Sequence, residues 1–149
     1  MQLDIYFYDY PCWEGRVLRH ITGSRFTHVV PGVGDAGYHI DPRISRWVSL
    51  KSLHRVMPYH THLSVPIRTY PVQLIEDLVE GMSIDLVDLA SWYRNREQGL
   101  IRPMPDSCVE ATRLMLLACG VSVEQGTPDE LYTELLQDPA VSAHLRGAG

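Results

Sequence analysis

The sequence predicts an α+β fold, and three observations carry that prediction. The first half is built from short segments that alternate apolar and polar residues, separated by glycine and proline. The second half changes period, with apolar residues at helical spacing behind good capping residues. A chain of 149 residues that is 45% hydrophobic fits one domain with a real core. The domain is expected over 1–140, with 141–149 as a fraying tail.

Leu3 to Tyr8 alternates and is rich in β-formers, so it reads as a strand. Tyr10 to Gly23 reads equally as a short helix or a loop. Phe26 to Pro31 is the next strand. Gly32 to Gly37 forms a turn, because glycine reaches positive φ at low cost. A strand from Tyr38 to Ile40 completes a hairpin carrying His28 and His39 near its middle, and Asp41-Pro42 ends it. Arg46 to Leu50 and Tyr59 to Ile67 are further strands. Pro66 marks an edge strand or a strand end.

Helices follow over Pro71 to Gly81 and Ile84 to Arg96. Gly99 to Pro105 is a loop with two prolines as stops. Asp106 and Ser107 are N-cap types ahead of the apolar helix Cys108 to Cys119, which Gly120 ends. Thr127-Pro128-Asp129-Glu130 starts a last helix, with threonine as cap, proline in the first turn and glutamate three after the cap.

The net charge of −5 argues against non-specific binding to nucleic acid or an anionic membrane surface. No apolar run approaches the roughly 18 residues that span a bilayer. The first residues carry acids and no basic segment, so no signal peptide is expected and synthesis is expected in the cytoplasm. No cofactor is expected. Three cysteines, Cys12, Cys108 and Cys119, at wide spacing make neither a disulfide framework nor a CxxC zinc site. His60 and His62 have strand spacing and could share a face, but a metal there needs a third ligand that the sequence does not supply.

The chemistry centres on Cys108. At the start of a helix, unpaired N–H groups and the helix dipole favour negative charge, which is expected to lower the thiol pKa. A cysteine nucleophile needs a base, and the base needs a group that holds its ring. His28 sits in an apolar strand, a costly place for an unpartnered imidazole. His39 or Asp41, across the hairpin turn, can orient it. Cys119 reads as core and Cys12 as a loop residue. His54, His60 and His62 read as surface or edge-strand residues.

Ser24-Arg25-Phe26-Thr27-His28-Val29-Val30 resembles the histidine strand of circularly permuted NlpC-like peptidases, and lecithin:retinol acyltransferase-like enzymes carry a related strand. In both families this strand precedes the cysteine helix, the reverse of papain. Asp106-Ser107-Cys108-Val109-Glu110-Ala111 resembles the start of their cysteine helix, and Thr127 to Tyr132 resembles an element that follows it. The likeness runs from about Tyr6 to Leu136 and implies a permuted papain-like fold, a small antiparallel sheet against the cysteine helix. It implies Cys108 as nucleophile, His28 as base and His39, in preference to Asp41, as the orienting group. The implied activity is that of a thiol hydrolase or acyltransferase on an amide or ester, in a peptide, a peptidoglycan stem or an isopeptide. Two residues depart from the pattern: Val109 stands where many relatives have a small polar residue, and Pro31 interrupts the histidine strand. Small proteins of this kind resemble ones from bacteriophage genomes, some near virion genes. The alternative is therefore a catalytically silent module with protein partners in a virion or similar assembly.

Overall fold

The computed structural model describes residues 1–9, 13–40 and 45–145. Among them the chain forms β1 (Gln2–Tyr8), α1 (Trp13–Thr22), β2 (His28–Val33), β3 (Ala36–Ile40), β4 (Ser45–Ser49) and α2 (Leu50–Val56). It continues through β5 (Thr61–Pro66), α3 (Val72–Val79), α4 (Leu86–Glu97), α5 (Cys108–Ala118), α6 (Pro128–Leu136) and β6 (Ser142–Leu145). The strands make one antiparallel sheet in the order β4-β3-β2-β1-β5-β6, so the protein is α+β. No helix among the described residues is long and apolar enough to cross a membrane.

Alternation along β1 divides the sheet into two faces. Leu3, Ile5 and Phe7 enter the main core with Leu63, Val65 and Val29, and α3 to α6 close that face with Ile75, Met115, Leu116 and Leu131. Tyr8 and Val30 point the other way and meet Leu50 and Met57, from α2 and its C-cap, with Tyr6 and Leu53 packed alongside.

Local signals placed most helices. The Ser107 hydroxyl accepts from Glu110 N–H at 3.0 Å, and Asp85 caps α4 in the same way. Thr127 and Glu130 form a reciprocal capping box at α6, with Pro128 in its first turn.

Several expectations are corrected. Of the segment read as a short helix or a loop, Trp13–Thr22 is helix α1, and residues 10–12 lie outside the described residues. The turn after β2 is only Gly34-Asp35, with Gly34 at φ 60°, so Gly32 and Gly37 lie in the strands and face each other. A Cβ on Gly37 would come within 2.5 Å of the Leu50 side chain, so the two glycines make room for α2. Leu50 is thus the start of a helix capped by Ser49, not the end of a strand. Of the two readings of Pro66, the strand end holds and the edge strand does not, because β5 is interior and finishes at Pro66. Residues 142–145, expected to fray, pair with β5 as β6.

Candidate active site

His28 and His39 lie at the end of the hairpin away from its turn, not near its middle, because the tight turn lengthens both strands. Val33 and Ala36 flank a two-residue turn, so Val33, Pro31 and Val29 direct their backbone groups toward β3. Proline has no N–H to give. The ladder with β3 accordingly holds only Gly32↔Gly37 and Val33↔Ala36, while Pro31 remains paired with Ile5 on the β1 side. Pro31 therefore does not end the histidine strand; it parts β3 from β2.

Cys108 comes to this parting. The backbone N–H groups of Val29, Val109 and Cys108 itself face the thiol and favour its charged form. Position 108 is the first residue of α5 after the Ser107 cap, where N–H groups have no partner within the helix. The expected lowering of the thiol pKa does not occur. Burial pushes it up to about 11, outweighing all three N–H groups. The residue is 6% exposed. The cavity it lines with Leu18, Phe26, Leu89 and Tyr93 holds about 10 Å³, room for one water at most. Cys119, late in the same helix, is a buried core thiol.

The two histidines are brought together. Nε2 of His28 and Nδ1 of His39 are 3.0 Å apart, with the rings nearly perpendicular, and both residues are buried. They lie on the α2 face of the sheet: His28 pairs with Tyr8 in register, and their rings are 5.7 Å apart. Sγ of Cys108 and the imidazole of His28 are not hydrogen-bonded to one another; the group of β2 that faces the thiol is the N–H of the next residue, Val29. The physical reason is the pleat. The thiol approaches from the face covered by α5, whereas the imidazoles project from the other face. Asp41, the other candidate for orienting His28, lies outside the described residues, as do Tyr10 and Cys12.

Sequence reasoning missed the wall behind the histidines. His54, read as a surface or edge-strand residue, sits on α2, and its Nε2 is 2.7 Å from the Tyr8 hydroxyl. Burial raises the Tyr8 pKa, which keeps the phenol neutral. A helical signal was present in Leu50, Leu53 and Met57 behind Ser49. His60 and His62 do not converge on a metal: His60 contacts Arg25 and Phe26, whereas His62 stacks on Tyr6. Among the described residues no group of three metal-ligating side chains forms.

In comparisons with family models, curated proteins and solved structures, nothing matches this chain.

Proposed function

We propose that the protein is a permuted papain-like thiol hydrolase or acyltransferase acting on an amide or ester bond of a peptide-like or acyl substrate. The observation that carries this reading is the 3.0 Å contact between His28 and His39, next in β2 to the Val29 N–H that faces the Cys108 thiol. Buried imidazoles are costly unless partnered, and here the partner is a second imidazole that fixes the ring. With Nε2 of His28 engaged by His39, Nδ1 is the nitrogen assigned to the thiol.

A thiol pushed up to about 11 is neutral near pH 7, so the resting site holds no preformed ion pair. His28 then acts as a general base. As it removes the thiol proton, sulfur attacks the carbonyl carbon and a C–S bond forms. The tetrahedral intermediate expels the amine or alcohol, which takes the proton from the imidazolium. Water, or an acceptor nucleophile, cleaves the thioester and returns the proton to sulfur. The N–H groups of Cys108 and Val109, which favour charge on the resting thiol, are the nearest donors to a developing oxyanion once sulfur is bonded to carbon. The reading requires the Cys108 thiol to meet Nδ1 of His28 through the parting of β2 and β3 when substrate binds.

Burial of the thiol favours a second reading, a catalytically silent interaction module, for which a virion or similar assembly is the proposed setting. Reaction with p-nitrophenyl acetate, followed by peptide mass mapping, separates the two. Acetylation confined to Cys108, turning over in the wild type and lost in His28→Ala, supports the enzyme. Absence of acetyl transfer to Cys108 in the folded wild type supports the silent module.

A further inference from the structure

Three neighbouring strands carry a column of stacked rings. Register places Tyr6 of β1 opposite His62 of β5, and His62 opposite His144 of β6. The His62 ring lies 4.7 Å from Tyr6 at 29°, and 4.6 Å from His144 at 20°. Tyr59 closes the column edge-on, 5.5 Å from His62. Nδ1 of His62 is buried with no hydrogen-bond partner among the described residues.

Among the described residues, β6 is also anchored by Val141 just before it, which packs partly buried against the main core. The strand's own four residues are all exposed. Beyond the backbone ladder, the Thr61 hydroxyl donates to the His144 carbonyl at 2.9 Å. The histidine stack is thus the main side-chain attachment within this edge strand.

We infer that the His62–His144 stack is a pH-sensitive latch that holds β6 on the sheet when both rings are neutral and releases it when both are charged. Histidine is the side chain whose ordinary titration falls near neutrality. Two imidazolium rings in parallel contact repel, and the buried Nδ1 would carry a proton with no acceptor. The groups facing His62 are Asp4 and Tyr6 from β1, Tyr59 from the segment before β5, and His144 from β6. Asp4 favours a charged His62, but its carboxylate also accepts from Ser64 at 2.8 Å and Gln2 at 3.2 Å. The face of the Tyr6 ring tolerates one cation, not a second one stacked on the first. Burial, with His144 adding to it, lowers the His62 pKa. A base depressed in the folded state contributes its stability above its unfolded value, near 6.5, and loses it as pH falls. Release therefore occurs on acidification and uncovers the hydrogen-bonding edge of β5.

The test is amide exchange in the intact protein at pH 7.5 and pH 5.0, expressed as protection factors so that the intrinsic pH dependence cancels. It is run on the wild type and on His144→Gln, an exposed position where the variant keeps a planar, non-titrating side chain. Protection of the β6 amides is expected to fall about tenfold or more at pH 5.0 in the wild type. In His144→Gln the fall should be clearly smaller, because only the cost of charging buried His62 remains, while the interior strands stay protected in both. Equal loss in the variant, or unchanged protection in the wild type, overturns the latch.

Discussion

The two faces of the sheet are built from different chemistry. On the side of α3 to α6, the strands present Leu3, Ile5, Phe7, Leu63 and Val65, and the helices answer with aliphatic side chains. On the α2 side the same strands present Tyr6, Tyr8, His28, His39 and His62, with little aliphatic cover beyond Val30, Leu50, Leu53 and Met57. The first face carries the hydrophobic burial that makes the fold. The second spends its positions on rings that need partners and can change charge. Cys108 belongs to the first face and its candidate base to the second. The functional question is how the two communicate through the parting of β2 and β3.

Breaking the apolar face should cost the most. Ile5→Ala removes a fully buried side chain from the main core and should destabilise by about 2–5 kcal/mol in chemical denaturation. The α2 face should be more forgiving of lost volume and less so of added volume. Gly37→Ala drives a Cβ into Leu50 and should cost about 1–3 kcal/mol, with the larger share lost at α2. Hydrogen exchange confined to α2 would sharpen the contrast, whereas uniform loss across the sheet would blur it. The smallest effect concerns access. Leu18 of α1 lines the cavity at Cys108, so Leu18→Ala should raise the rate of Cys108 alkylation severalfold with a modest loss of stability. An unchanged rate would place the route to the thiol elsewhere.

The same division explains what could be read from sequence. Caps and periodicity are local, so α3 to α6 were legible, down to Ser107 and the Thr127–Glu130 box. The pairing of His28 with His39 was legible because both lie on one hairpin. α2 was missed because Leu50 continues an alternating strand pattern, and its role depends on Gly32 and Gly37 from another element. β6 was missed because four exposed residues carry no burial pattern; their pairing is set by β5 across the chain. The thiol pKa was misjudged for a related reason. A helix N-terminus shows in the sequence, but the burial that outweighs it is assembled from α1, α4, α6 and the segment before β2.

The most direct test of the central claim is the rate of Cys108 alkylation by iodoacetamide from about pH 5 to pH 9, read at that residue by mass mapping, in the wild type and in His28→Ala. Because burial raises the thiol pKa, the wild-type rate should climb with pH across the range rather than level off near pH 6. At pH 7 the variant should react about tenfold more slowly, about 1.4 kcal/mol of lost assistance from the base. Identical rates in two folded proteins at every pH would contradict the account and leave Cys108 as a packing residue.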